Sequence, residues 1–556
     1  MKQRQMDTSP EIPQGIRILP DETLLEAPTV EINLPDRHLS AIEAMINLTG
    51  VHRSKDIGTN GSSNAAYTRP QDRNNKFLDK FNHKFHRDDH VIAEFLLPYH
   101  PLLTHEAIKL SLEYMGTIDN YDNPMDGPFD EQEKGKIAHE ILSPDHPTAI
   151  ELRERKNWGF PYYGATDTTG KNILAIHRLV NHPDYGVDYL KERYIGRDKI
   201  PHTILYGLDQ NIAWITGRMN RNPEGLVENL DRNPLHHANQ TWADSPESFH
   251  HKDGSWAQYQ NELGYGVAAV ELQAETYDAL LGGADIYEKI GRFKDAAALR
   301  ERAARLRAVI LKEFWVDDSK HFGGYFARGT DRDSTGRLRT LEIRSSDMGH
   351  LLQSGILDPV EDADLNTEIT FKREAVIRNL FSDEMLCPSG IRTLSADSAR
   401  YGDARYHNGS SWPWTTYFIA RGLDKHGYHG LSYELKKRVW KNYNQTHVLG
   451  EYASGSSDPD DRIVSQAVLV RNDTLTSEQT YHISRPAQLI QGWTAAAIYA
   501  MKHEYAAVTA RRLGGRYLAA VSVSSFRMAA LTDDRRTFES EILLPIREQQ
   551  SIRYAA

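Results

Sequence analysis

From about residue 75 onward, the apolar positions of this chain recur at steps of three and four rather than two. FHRDDHVIAEFLL, THEAIKLSLEYMG and EKGKIAHEIL follow one another with that spacing, and turn-rich stretches such as TIDNYDNPMDGP separate them. The clearest case is GYGVAAVELQAETYDALLGGADIYEKIG, where Val267, Val270, Ala274, Tyr277 and Leu281 define one buried stripe. The same spacing predicts helices near 171–182, 203–218, 294–315, 346–356, 370–381, 411–424, 431–445 and 486–503. Ten to twelve helices are therefore expected between 75 and 505, with no convincing alternating strand among them.

Helices of that number, joined as antiparallel hairpins, suit a solenoid, an array of bundles or a closed ring of hairpins. No sequence period repeats, which weighs against an open solenoid and leaves a toroid free. Residues 1–70 are rich in Pro, Asp and Thr and read as an extended lead-in, and 71–505 as the helical domain. Residues 506–556, with RYLAAVSVSS and FESEILLPI, read as a C-terminal extension of strands or loose tail.

Composition narrows the function classes. The chain has 556 residues, of which 39% are hydrophobic and 9% aromatic, as in an ordinary globular protein. Its 77 acidic and 66 basic residues give a net charge of -11, so the basic surface that nucleic acid requires is missing. The single cysteine, Cys387, excludes an internal disulfide and a thiolate zinc cage. With no apolar leader and no apolar run near 18 residues, the expectation is a cytoplasmic protein with no membrane partner. The sequence says nothing of oligomeric state.

No GxSxG elbow, Walker loop, HExxH or GxGxxG occurs, so nothing supports a serine hydrolase, P-loop or dinucleotide reading. The acidic spacing of DNYDNPMDG does not fit an EF-hand. Asp458-Pro-Asp460-Asp461 formally matches the acid motif of helical terpene cyclases, but it sits in the polar loop SGSSDPDDR. His236-His237 and His250-His251 could suggest a metal, although adjacent side chains point in opposite directions along a regular element. No metal or cofactor is expected.

The remaining signal is a density of aromatic and amide residues in loops: NWGFPYYGATD, NQTWADS, RYHNGSSWPW and GEYASGSSD. Flat rings beside Asp, Asn and Arg suit a sugar, with its apolar faces and hydroxyl rim. Cleaving a glycosidic bond takes one protonated carboxyl and one carboxylate. Asp244, two places after Trp242, fits the first job if the indole disfavours its charged form; a helix N-cap at Asp244 or Ser245 is the competing reading. Glu451, in a polar loop before Tyr452, fits the second.

Taken together and in order, FHRDDHVIAEFLLP, DEQEKGKIAHEI, FPYYGATDTT, NQTWADSPES, VAAVELQAETYDAL, DMGHLLQSGILDP, PSGIRTLSADS and YHNGSSWPW resemble the amylo-α-1,6-glucosidase, or glycogen-debranching, glycoside hydrolases. More loosely the chain is similar to processing α-glucosidases, glucosylglycerate and mannosylglycerate hydrolases and neutral invertases. The resemblance spans about 77–500. It implies an all-α (α/α)6 toroid and inverting hydrolysis of an α-glucosidic bond, with Asp244 as general acid and Glu451 as general base. It also implies that Arg87, Asp88, Tyr163, Asp167, Trp242, Glu271, Gln273, His407, Asn408 and Trp412 line the sugar pocket. Departures at Thr169-Gly170, Ala243, Ala274-Glu275 and Thr415 bear on the substrate. A glucosylglycerate-, mannosylglycerate- or disaccharide-type hydrolase, or a binding relative without catalysis, are the alternatives.

Overall fold

The computed structural model describes residues 30–32, 84–118, 131–143, 145–156, 158–229, 236–259, 263–446, 448–461, 466–472, 480–486 and 491–513. Among them are twelve α-helices: α1 (His86–Leu96), α2 (Pro101–Glu113), α3 (Pro147–Lys156), α4 (Asp167–Val180), α5 (Ile204–Arg221), α6 (Val270–Lys289), α7 (Phe293–Glu313), α8 (Asp347–Gln353), α9 (Ala363–Leu380), α10 (Pro413–Lys425), α11 (His429–Thr446) and α12 (Gly492–Leu513).

Six of these form a closed inner ring. In chain order α1 packs on α4, α4 on α6, α6 on α8, α8 on α10, α10 on α12, and α12 returns to α1. Outside them α2, α5, α7, α9 and α11 each lie against the inner helix that precedes them. This alternation of inner and outer helices is the (α/α)6 toroid. At the seam between α12 and α1, His100 meets the Tyr499 hydroxyl at 2.8 Å and Gln491 donates to Asp88 at 3.0 Å.

Local chemistry sets the hairpins. The Thr203 hydroxyl caps α5 by accepting from the Tyr206 amide, and the Asp362 carboxylate caps α9 through the Leu365 amide. Pro101 and Pro413 open α2 and α10, where their missing N–H costs nothing. After α6 and α10 the chain reverses through Gly291 and Gly427, both at φ +80°, a conformation a side chain would strain. The larger apolar core lies between inner and outer helices. A second cluster, rich in aromatics, sits at the seam with Trp242, Trp412, Trp414, Trp493, Tyr417 and Tyr452, and Val30 and Ile32 are buried in it.

The helices follow expectation closely in number and order, with four exceptions, of which one is α3 (Pro147–Lys156), a helix the apolar spacing did not predict. EKGKIAHEIL is not helical. Gly135 takes φ +84° against the backbone of Gln210, and Glu140–Ile141 (β2) pairs antiparallel with Lys84–Phe85 (β1). Its apolar spacing arises because Glu133 and Lys136 are buried too, the former accepting from Trp214 and Arg218 at 2.9 and 3.0 Å. Gln466–Asn472 and Thr480–Pro486 form an antiparallel hairpin where no strand was expected. Helix α12 runs past 505 to Leu513. Most of the lead-in, the whole DNYDNPMDG loop and the tail with RYLAAVSVSS and FESEILLPI lie outside the described residues. No helix among the described residues is long and apolar enough to cross a membrane.

Burial leaves many histidines neutral. It holds the imidazoles of His86, His250 and His503 at about 3 and those of His100, His350 and His426 at about 4, and lowers His90, His105, His177 and His407 as well. In the unfolded chain they protonate near 6.5. The unfolded state therefore binds protons between pH 6.5 and about 4 that the native state refuses, and stability falls as pH drops through that window. Burial raises fewer carboxyls, namely Asp88, Glu113, Glu228, Glu271, Glu275 and Asp278, and these act in the opposite sense. Calorimetry is expected to show Tm falling by several degrees from pH 7 to 5; a flat or rising Tm would contradict this balance.

Candidate active site

The inner helices bring their N-termini to one end of the ring. Asp88 lies in the first turn of α1, Asp167 opens α4, Glu271 is second in α6 and Asp347 opens α8. Helix N-termini carry partial positive charge, which makes this end a natural place to gather carboxylates. The loops entering those helices supply two more, Asp244 and Glu451.

Arg87 is the hub. Its guanidinium donates to both oxygens of Asp167 at 2.7 and 3.1 Å and to Asp244 at 3.2 Å. One cation thus faces Asp88, Asp167 and Asp244. Burial pushes the Asp88 carboxyl well above the usual range; Arg87 opposes this, while Asp89, Glu451 and Asp244 add to it. The Asp88 carboxyl also accepts from the Gln491 amide at 3.0 Å.

Glu451 is buried and accepts a hydrogen bond from the Tyr406 hydroxyl. Burial, Glu451 and Asp244 raise the Tyr406 phenol well above its ordinary value, so it stays a donor. Asp244 and Glu451 each act on both Asp88 and Tyr406. Two carboxylates from loops some 200 residues apart in sequence thus converge on the same pair of groups. The Asp244 side chain is 23% exposed and is the more open of the two.

Two features mark the setting of Asp244. No helix begins at 244 or 245, so the N-cap reading fails. The Trp242 ring is enclosed by Trp412, Trp414, His407 and His350, and its N–H donates to Asp347 at 2.9 Å. Asp244 turns to Arg87 instead. What surrounds it is a surplus of carboxyls around one guanidinium.

Asp167, Trp242 and Glu271 lead downward into a cavity of about 720 Å³ along the bore, which ends among His177, Asp285 and Lys289. Asp244 and Glu451 are not among its lining residues. Burial, aided by Asp347, raises the Glu271 carboxyl well above its ordinary value, opposed by its own amide, Arg328 and the Thr241 hydroxyl. It is a polar group at the mouth of a cavity, suited to a hydroxyl.

The other expected pocket residues divide by what they touch. His407 is neutral and accepts from the Ser245 amide at 3.2 Å, which fixes the backbone beside Asp244. The ends of Gln273 are engaged by the backbone of Val227 and Ala269, and the Asn408 amide spans the Glu247 carbonyl and Arg328. Both fasten loops, and neither lines the cavity below Glu271. Tyr163 donates to the Tyr114 carbonyl at 2.5 Å and accepts from Arg197, away from the carboxylates. Trp412 stacks on His407 and donates to the Tyr406 carbonyl.

Four residues of this assembly were not picked out from sequence: Tyr406, Gln491, Arg328 and Asp347. Tyr406 adjoins His407 in a quoted motif, which was signal enough. Arg328 stands alone between apolar residues and gave none. The histidine pairs separate as the alternation of side chains requires: His236 meets Glu131 at 2.9 Å and His237 lies near Glu140, while His250 faces Ser398 and His251 meets Asp331. Asp458, Asp460 and Asp461 sit in an exposed loop with no chamber around them.

Residues 196–460 match the family model of the mannosylglycerate hydrolase MGH1-like glycoside hydrolase domain. A comparison with curated protein sequences finds no match. Similar solved structures include an uncharacterized conserved protein from Thermus thermophilus, at 12% identity over 84% of this chain and 99% of that one, with a TM-score of 0.47. A GH63 mannosylglycerate hydrolase from the same organism, in complex with glucose, is 13% identical over the same shares, with a TM-score of 0.47. A bacterial glucoamylase complexed with acarbose is 12% identical over 76% of this chain and 49% of that one, with a TM-score of 0.43.

Proposed function

We propose that this glycoside hydrolase cleaves an α-glycosidic bond between one hexose and a small hydroxylated acceptor, with inversion at the anomeric carbon. The observation that carries the reading is the meeting of two separate loops: Tyr406, which holds Glu451, packs on His407, whose ring accepts from the Ser245 amide beside Asp244. Asp244, the more open carboxyl, gives its proton to the glycosidic oxygen as the bond to C1 breaks. Glu451, held by Tyr406, takes a proton from a water whose oxygen bonds to C1 from the opposite face. Such a pair works with its carboxyls about 6.5–9.5 Å apart, leaving room for that water. Asp88, Asp167 and Glu271 supply partners for the hydroxyls of a single ring.

The domain type matched by residues 196–460 supports a small glycoside, such as an α-mannosyl or α-glucosyl glycerate, over the branched glucan that a debranching enzyme takes. Proton NMR of the purified protein with α-mannosylglycerate, α-glucosylglycerate, isomaltose and an α-1,6-branched dextrin tests both points. The expected result is rapid cleavage of a glycerate, with the β-anomer of the free sugar appearing first. Faster cleavage of the dextrin would restore the debranching reading, and the α-anomer first would make the enzyme retaining. No cleavage of any of them would favour a binding relative.

A further inference from the structure

We propose that His139, Glu140 and His237 form a divalent transition-metal site, suited to Zn²⁺, on the rim of the carboxylate cluster. Their ligating atoms all lie within 4.8 Å of one another. The Nε2 atoms of His139 and His237 stand 3.8 and 4.0 Å from the same oxygen, Oε1 of Glu140. Both separations are too long for a hydrogen bond. They suit ligands facing each other across one ion: donors held about 2.0–2.2 Å from a tetrahedral zinc lie roughly 3.4 Å apart. Contraction by about half an ångström closes the site.

The donor set selects the metal. Two imidazoles and a carboxylate suit Zn²⁺ and its neighbours, whereas Mg²⁺ and Ca²⁺ call for oxygen alone. Three protein ligands leave one position open for water.

The backbone that carries these donors is fixed before any ion arrives. Glu140 pairs with Phe85 across β1 and β2 and exchanges amide hydrogen bonds with Tyr162 at 2.9 and 3.1 Å. The His86 amide donates to the His139 carbonyl at 2.9 Å. The His237 amide donates to the Tyr162 hydroxyl, and the Trp158 ring stands edge-on to its imidazole at 5.1 Å. An ion here would join the loop leading to Asp244 to β2, the strand paired with the one that leads to Arg87 and Asp88. Its neighbour His236, taken up by Glu131, stays out of the site. The His237 side chain is 28% exposed, which gives the ion a way in.

Metal counting on the full chain tests this without reference to activity. After stripping with a chelator and dialysis against micromolar ZnCl2, the wild type is expected to hold one zinc per chain by mass spectrometry. X-ray absorption should show two imidazole nitrogens about 2.0–2.1 Å from the metal. His237→Gln, at the open edge of the site, and Glu140→Gln should each weaken binding about 100-fold, while His429→Gln, a histidine elsewhere on the surface, should leave it unchanged. Circular dichroism confirms that each variant is folded. Failure of the wild type to retain zinc, or equal retention by folded His237→Gln and Glu140→Gln, overturns the proposal.

Discussion

Asp244→Asn is expected to lower kcat by about 10²–10⁴-fold on a glycoside whose leaving group must be protonated, with the fold intact. The substitution keeps the side-chain shape. Arg87 keeps both bonds to Asp167, so no buried charge is stranded, and the 23% exposure of residue 244 lets solvent help an amide there. The loss should depend on the leaving group. A glycosyl fluoride departs with little help from an acid and should recover most of the rate in Asp244→Asn. Glu451→Gln should lose activity on both substrates, because activation of water does not depend on what leaves. Azide added to Glu451→Gln should restore turnover and yield the inverted glycosyl azide. Equal loss on fluoride and glycoside in Asp244→Asn would remove Asp244 from the acid role.

That experiment separates chemistry from position, which sequence alone did only in part. Asp244 and Glu451 were legible because each is a carboxylate in a loop beside aromatic residues, and loops on a helical scaffold are where reacting groups collect. What adjusts them was not. The neighbour of Asp244 is Arg87, 157 positions away, and the contact exists only because the closed ring brings the N-terminus of α1 against the loop between α5 and α6. Trp242 has its distant partner too: its indole N–H is taken up by Asp347, 105 positions on.

The helices were the easier part. A stripe such as Val270, Ala274 and Tyr277 is written by the contact between one inner helix and its neighbours, and burial in the toroid obeys it. EKGKIAHEIL defeats the same logic because both faces of the segment are covered, so its spacing carries no information about an exposed side. Gln273 and Asn408 show the corresponding limit within the site. An amide in a loop or at a helix N-terminus can serve a sugar or the backbone, and here the backbone takes both ends of Gln273 while the Glu247 carbonyl and Arg328 take those of Asn408.

Arg328→Met should be the most damaging single change to stability, about 3–5 kcal/mol, because it leaves a buried carboxylate without its cation. Arg328 is fully buried and donates to Asp347 at 2.7 Å, to the Ser248 carbonyl at 2.7 Å, to Asn408 at 3.0 Å and to the His407 carbonyl at 3.2 Å. It therefore ties the loop after Asp244, the Tyr406-to-Trp412 segment and the N-terminus of α8 to one planar group. Lysine cannot replace that fork, since a point charge reaches only some of the acceptors. Urea denaturation should show the loss for Arg328→Met, and Arg328→Met with Asp347→Asn should recover part of it by removing the stranded charge. Activity should fall in both variants, because the loops that position Asp244 and Tyr406 lose their common anchor, and small displacements of reacting groups cost rate steeply. If Arg328→Met alone unfolds at the wild-type urea midpoint, the four acceptors find water instead, and the anchoring role assigned to Arg328 is wrong.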